Sequence, residues 1–433
     1  MHLLYVLASY LLFALLAPVL LLHRKTRHGL AQRLGFYPQG LIPSGGSPRI
    51  WLHGASAGDL LALSPMMGLL RERFPGCLIF CSTMTNTGYL MASERLRPQL
   101  DAVVYAPYDL WGATRRAVKA LKPDLLVLEY TEIWPNLIHA AKKAGTRIVL
   151  TNGRFSQNRL RSYRTLFSLV GNPLQEIDLF LMREDDEAER VLGLGASLDR
   201  VWVTGNTKFD VLSFAPPAGE DAVLRGALGL PPGTRVLIAG STHEGEEEAL
   251  LEVFKRLLKD HPDLRLVIAP RYIDRAGRVV GLAHQAGLSV RKRSEKGEAT
   301  RVVVLDTIGE LAQAYRLATV VFVGGSFTTR GGQNILEPAA QGKPVLFGPH
   351  MENFHDSVQV LVGRGGIQVN DPEQLYRVLL ELLGRPETLA SLGELAKGAV
   401  RQISGASRRN VDLMARLHPV GAVKPAAGGV RGA

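Results

Sequence analysis

The chain is 433 residues long, with 46% apolar and 21% charged residues and 45 glycines spread along its length. That length exceeds one compact core, and the composition excludes collagen-like and disordered chains. A formal charge of +11 calls for an anionic partner, whether nucleic acid, anionic lipid or a phosphorylated substrate.

Residues 3–22, "LLYVLASYLLFALLAPVLLL", carry no charge and match the length of a helix that crosses a bilayer. Arg24, Lys25, Arg27 and Arg33 follow. A secretory signal places its positive charge before the apolar segment, whereas positive charge after it keeps the remaining chain in the cytoplasm. Residues 1–23 are therefore expected to form a membrane-anchor helix in the inner membrane, with the body on the cytoplasmic face. A helix inserted only partway, bent at Pro18, is the alternative.

From residue 49, strand-like runs alternate with helical periodicity. "RIWLHG", "CLIFCST", "AVVYAP", "LLVLEY", "RIVLTNG", "LFLMR" and "VWVTGN" follow in order, with helical segments such as "LLALSPMMGLLRERF" between most of them. Continuous apolar strands separated by helices imply a parallel sheet covered on both faces. Residues 24–212 are thus expected to be a first Rossmann-like domain. Cys77 and Cys81, the two cysteines, fall on one face of the second strand and read as buried thiols. Residues 213–233 hold four prolines and four glycines and read as a linker with a short helix. A second series, from "RVLIAGST" to "KPVLFGP", predicts another Rossmann-like domain over 234–418, with a disordered tail over 419–433. The expected fold class is α/β, two doubly wound domains facing a cleft.

The opening turns of both series run strand, Gly-Ser loop, carboxylate, helix: "RIWLHGASAGD" and "RVLIAGSTHEGE". In the first, Asp59 stands where it could cap a helix or take a proton. In the second domain, "VGGSFTTRGGQNILEPAAQGKPVLFG" is a strand, a glycine-rich loop, a helix begun near Asn334 and another strand. Such a loop can cradle a phosphate, and Glu337 can accept from ribose hydroxyls; Asn334 as cap and Glu337 as dipole partner is the plainer reading. Pro270 and Arg271, then Ile308, Gly309 and Glu310, follow two further strands, so three turns would meet in one nucleotide pocket. The stretch 147–164 holds five arginines, Arg154, Arg159 and Arg161 among them, and no acid, which suits anionic lipid headgroups. Nucleic acid is not expected, because no nucleic-acid-binding fold signature occurs. Asp185 and Asp186 read as the acidic first turn of a solvated helix, and no metal site is expected.

Several ordered motifs carry a resemblance: "GLAQRLGFY", "TMTNTG", "YDL", "TEIWPNLI", "VTGNTKFD", "STHEGEEE", "DTIGEL" and "GGQNILEPAA". In these the chain resembles the membrane-anchored 3-deoxy-D-manno-octulosonic acid (Kdo) transferases of lipopolysaccharide assembly. The resemblance implies a GT-B glycosyltransferase with an acceptor-binding first domain and a donor-binding second. It implies a cytidine monophosphate (CMP) sugar as donor, a lipid A precursor as acceptor, inversion at the anomeric carbon and no cofactor. It places Pro270, Arg271, Ile308, Gly309, Glu310, Asn334, Ile335, Leu336 and Glu337 on the nucleotide, Asp59 as general base, and Lys208 of "NTKFD" as a stabiliser of negative charge. A donor with one phosphate leaves no diphosphate for a metal to bridge, so arginine can serve.

Three positions depart from the family pattern. Asp59 stands for a glutamate, which shortens the reach by one methylene. Tyr130 stands for another glutamate, two places before Glu132, and can donate a hydrogen bond without supplying the charge. Glu129 is adjacent, but strand neighbours point to opposite faces. Tyr272 stands where histidine is usual. Two of these changes surround the acceptor chemistry, whereas the nucleotide loops are mostly intact, which leaves open a diverged paralogue with another sugar or acceptor, or a non-catalytic nucleotide- or lipid-binding protein of the same fold.

Overall fold

The computed structural model describes residues 2–22, 28–211, 220–295 and 297–417. It divides into two compact units, Met1–Val211 with Ser404–Ala433, and Leu212–Ile403. The basic residues Arg24, Lys25 and Arg27, part of the linker and the expected tail lie outside the described residues.

The first unit is built on seven strands: β1 (Arg49–His53), β2 (Leu78–Thr83), β3 (Ala102–Tyr105), β4 (Leu125–Glu129), β5 (Arg147–Gly153), β6 (Leu179–Met182) and β7 (Val201–Val203). Their order is β3-β2-β1-β4-β5-β6-β7, and every pairing is parallel. Alternating residues serve opposite faces, as pleating requires. Trp51, Leu126, Leu128, Ile148 and Leu150 join one core; Ile50, Leu52, Leu125, Val127 and Val149 join the other. Cys77 and Cys81 are free, buried and on that second face. Helices cover the sheet, among them α1 (His2–Leu22), α2 (Ala57–Arg73) and α3 (Leu160–Val170). Because β1 pairs with both β2 and β4, the winding reverses there, and the loops that leave β1 and β4 flank the crevice where ligands of such sheets bind.

The second unit repeats the plan with β8 (Val236–Thr242), β9 (Arg265–Pro270), β10 (Val290–Lys292), β11 (Val302–Val304), β12 (Val320–Val323), β13 (Val345–Phe347) and β14 (Gly366–Gln368). The order is β10-β11-β9-β8-β12-β13-β14, again all parallel. Its reversal lies between β8 and β12. Two of its helices matter below, α4 (Glu246–Leu257) and α5 (Leu336–Ala340).

Two expectations are corrected. Residues 2–22 are helical, yet among the described residues no helix is long and apolar enough to cross a membrane. Instead α1 spends one face on its own unit. Tyr5 Oη donates to Asp109 Oδ2 at 2.8 Å, Gly112 N donates to Tyr10 Oη at 2.9 Å, and the Phe13 ring lies 5.6 Å from that of Tyr108. Leu3, Leu4, Leu7, Leu11, Leu12, Leu15 and Leu16 stay exposed on the rest of its surface.

The second correction concerns the C-terminal helix, α6 (Ala406–Leu417), which was expected in the second domain. It returns to the first unit because Asp210 captures its start. Gly405 N and Ser407 N donate to the two Asp210 oxygens at 2.5 and 2.6 Å, satisfying amides that a helix start leaves open. Arg409 donates to Thr204 O at 2.7 Å, and Val411, Met414 and Ala415 enter the core with Leu63, Met66 and Leu70. Met414→Ala should therefore destabilise the first unit by about 3 kcal/mol. Tryptophan fluorescence during urea unfolding reads this selectively, since Trp51, Trp111, Trp134 and Trp202 all belong to that unit.

Candidate functional site

In the second unit one carboxylate organises the crevice. Glu246, fully buried in the first turn of α4, accepts from His243 N at 2.9 Å, Gly325 N at 2.7 Å, Ser326 N at 3.0 Å and Phe327 N at 2.9 Å. His243 leaves β8 and the other three leave β12, so the charge staples together the two loops that flank the reversal. Only glycine fits at 324, where a Cβ would lie 2.6 Å from Thr242 Cα. The next acid, Glu247, is also buried and is neutralised by Arg275 at 2.5 Å.

The expected nucleotide residues stand at the end of a strand, on the loops that follow strands, or in the first turn of α5 of this unit. Pro270 ends β9, and Arg271 anchors its backbone N to Thr242 O at 2.9 Å while its side chain faces solvent. Ile308 is 82% exposed and Gly309 has a φ of +88°, a turn that favours glycine. Glu310 accepts from Arg293 Nη2 at 3.1 Å and from Thr307 Oγ1, so its carboxylate is already oriented. The helix near Asn334 begins later than its sequence suggests, at Leu336. Asn334 still governs its start: Oδ1 accepts from Leu336 N and Nδ2 donates to Glu337 Oε1, both at 3.1 Å. Ile335 and Leu336 bury their side chains in the core, which leaves backbone atoms as their means of touching a ligand. Burial raises the Glu337 carboxyl above its ordinary range, against the opposing Asn334 hydrogen bond.

In the first unit Asp59 occupies the third position of α2 and closes a capping box with Ser56: Ser56 N donates to Asp59 Oδ2 at 2.8 Å, and the Ser56 side chain accepts from the Asp59 backbone. The capping role is therefore present. The loop is held tightly, since a Cβ at Gly54 would lie 2.8 Å from Asp59 Cβ. The "TMTNTG" segment buttresses it from β2, where Thr83 Oγ1 and Met84 N both donate to Ala55 O, at 2.8 and 3.0 Å.

Tyr130 follows β4 with a φ of +55°, an uncommon conformation for a bulky residue and one found at functional sites. Burial, reinforced by the neighbouring Glu129, pushes its hydroxyl up to about 12. Lys208 projects from a short turn after β7, its backbone N bound to Asn206 Oδ1 at 3.0 Å. Arg154, Arg159 and Arg161 are exposed on the segment that leaves β5 and enters α3. Asp59, Tyr130, Lys208 and these arginines thus all leave the carboxyl ends of strands of one sheet. Asp185 and Asp186 open a helix as expected.

Other motif residues are structural. Asp109 of "YDL" accepts from Asn136 N and Leu137 N at 3.1 and 2.8 Å and caps the helix begun at Pro135. Sequence reasoning gave no role to two buried groups. His53 ends β1, shares Ser82 Oγ with Trp51 Nε1, at 2.9 and 2.7 Å, and places Nε2 3.3 Å from Glu132. Burial alone would raise the Glu132 carboxyl, but His53 and the Trp134 N–H hold it below its ordinary range. The terminal His and motif Glu were visible in the sequence; their contact across strands was not. The other group is Glu129, named in the sequence beside Tyr130 but given no role there, and fully buried at the end of β4. Burial pushes its carboxyl up to about 8, against hydrogen bonds from Thr151 and Asn152, with Asp59 adding to the rise.

Solved structures share this fold. The UDP-GlcNAc 2-epimerase from Neisseria meningitidis bound to UDP-GlcNAc matches with a TM-score of 0.57 at 13% identity, over 85% of this chain and all of that one. A second UDP-N-acetylglucosamine 2-epimerase matches with a TM-score of 0.57 at 15% identity, over 88% of this chain and 99% of that one. These matches show the fold alone, two parallel α/β units of Rossmann type; the class, a glycosyltransferase, comes from the relatives that follow. A family model described as 3-deoxy-D-manno-octulosonic-acid transferase (kdotransferase) matches residues 28–211. The 3-deoxy-D-manno-octulosonic acid transferase of Haemophilus influenzae is 31% identical over 400 residues, covering 90% of this chain and 91% of that protein. That of Bordetella pertussis is 32% identical over 379 residues, covering 84% and 86%. The chain belongs to the Kdo transferase family.

Two outcomes follow from the buried acids. Folded Glu129 holds its proton to about pH 8 while an unfolded glutamate loses it near 4.5. The group's stabilising contribution is complete below pH 4.5 and is lost as pH rises to about 8. Urea unfolding followed by tryptophan fluorescence should show that decline, and Glu129→Gln should flatten it. In the second unit, Glu246→Ala removes the acceptor of four amides and should speed hydrogen exchange at Gly325, Ser326 and Phe327, at a cost of about 3 kcal/mol.

Proposed function

We propose that this protein transfers Kdo, or a close relative, from its CMP-activated form to a phosphorylated lipid acceptor of lipid A type in lipopolysaccharide biosynthesis, with inversion. The observation that carries the reading is membership of the Kdo transferase family together with an intact set of donor-loop residues at the second unit's reversal point. Arg271 meets the nucleotide phosphate, Glu337 the ribose, and Gly309 lets backbone approach the ligand.

In the reaction, Asp59 takes the proton of the acceptor hydroxyl through Oδ1, its second oxygen remaining on Ser56 N. The hydroxyl oxygen then forms a bond to the anomeric carbon while the bond from that carbon to the phosphate oxygen breaks. CMP departs with the electron pair, and Lys208 and Arg271 offset the negative charge. No cofactor enters this scheme.

A position at a membrane surface is supported by the exposed leucines of α1 and by Leu166 and Leu169 of α3, which packs against α1; the choice of the cytoplasmic face of the inner membrane rests on the basic residues that follow the apolar segment. The apolar side of such a helix suits the headgroup boundary, with Arg159 and Arg161 close by for anionic lipid. The partial-insertion alternative is the one this geometry favours.

Purified protein given CMP-Kdo and lipid A precursor should turn over, and Asp59→Asn should lower kcat by at least about 100-fold with CMP affinity, measured by calorimetry, unchanged. Equal turnover in the variant would remove Asp59 from its role. Tight CMP binding without turnover in the wild type would favour another acceptor, consistent with Tyr130 at a position where the family carries a glutamate.

A further inference from the structure

Glu129 is fully buried and has no role in the scheme above, yet its surroundings are built around it. Thr151 Oγ1 donates to Glu129 Oε2 and Asn152 Nδ2 donates to Glu129 Oε1, both at 2.5 Å. The same Asn152 amide clips Thr207 twice: Nδ2 donates to Thr207 Oγ1 at 2.5 Å, and Thr207 N donates to Asn152 Oδ1 at 3.0 Å. Thr207 Oγ1 in turn donates to Ala62 O, one turn past Asp59 on α2, at 2.9 Å. Thr151, Asn152 and Thr207 are all fully buried. One hydrogen-bonded chain therefore runs from the end of β4, through the end of β5 and the turn after β7, to α2.

Two links of this chain adjoin the proposed reacting groups. Lys208 directly follows Thr207, and Asp59 sits on the helix that Thr207 grips. The backbone shows how firmly the arrangement is held. Tyr130 and Asn152 are non-glycine residues with φ values of +55° and +50°, and Tyr130 N donates to Thr151 O at 2.9 Å. Two such residues side by side persist only where their surroundings over-determine them.

We propose that Glu129 is a positioning residue of the transfer reaction, which through Asn152 and Thr207 fixes the Lys208 turn against the helix that carries Asp59. This inference rests on the reading of Asp59 and Lys208 given under Proposed function. The carboxyl stands among Asp59 from α2, Arg183 after β6, its neighbour Tyr130, and the polar side chains of β5. Its effect is on the placement of these groups, since it is fully enclosed and touches no substrate.

The test uses full-length protein with CMP-Kdo and lipid A precursor. Glu129→Leu removes both acceptors at similar volume and should lower kcat by about 10- to 100-fold, in line with the cost of a misplacement near 1 Å. CMP affinity and the KM for the sugar donor should stay within about 3-fold. Glu129→Gln keeps an acceptor for Asn152 and offers an amide that the Thr151 hydroxyl can meet, and should retain activity within about 3-fold. Thr207→Val breaks the far end and should reproduce the loss, and the double variant Glu129→Leu, Thr207→Val should be no worse than either alone. Thr207→Val also stands as a test by itself if Glu129→Leu does not fold. Wild-type kcat in Glu129→Leu, additive losses in the double variant, or a Gln variant as impaired as Leu would overturn the proposal. Absence of turnover in the wild type would instead strike the reaction assigned above.

Discussion

Four backbone N–H groups converge on the Glu246 carboxylate, and the form of the second unit's crevice depends on that convergence. A parallel sheet covered on both faces satisfies its own hydrogen bonds until the strands end, where the chain must leave with amides unpaired. At a reversal point two such departures lie side by side. A buried anion that accepts from both loops turns this liability into a fixed shape, with the glycines at 324 and 325 allowing the close approach. Arg271, proposed to meet the nucleotide, inherits its position from this arrangement, because its backbone N is tied to Thr242 O at the same β8 terminus.

The first unit meets the same constraint differently. Asp59 closes its own helix start through the capping box, so the acid that serves as base in the proposed reaction also holds the loop that presents it. Much of the fixing passes instead to a buried polar chain of Glu129, Thr151, Asn152 and Thr207, and to the His53 and Glu132 contact beside it. Polar groups enclosed this deeply are stable only when their partners are complete. The crevice of this unit is consequently rigid at its floor and exposed where Lys208 and the arginines project.

Motifs shared with the family divide by what they touch. Asp109, Asn136 and Asp210 serve helix starts, and Asp210 draws the C-terminal helix back onto the first unit. The donor motif divides in the same way: Ile335 and Leu336 fill the core, while Asn334 and Glu337 shape the helix end. A motif read as a row of ligand contacts is in part a row of packing and capping residues, because a loop that must meet a ligand must first be held.

The alternation of apolar runs and helical periodicity by itself determined two parallel α/β units, their strands, the burial of Cys77 and Cys81, and the turns on which Asp59, Arg271 and Glu337 stand. Local periodicity and turn chemistry suffice for these, since each rests on neighbours in the chain. Only the tertiary structure decided that α1 lays Tyr5, Tyr10 and Phe13 on its own unit, that residues 406–417 belong to the first unit, and that Glu129 is bound within the floor of the crevice. Those outcomes depend on partners about 20 to 200 residues away, and hydrogen bonds over such separations leave no period or spacing in the sequence to read.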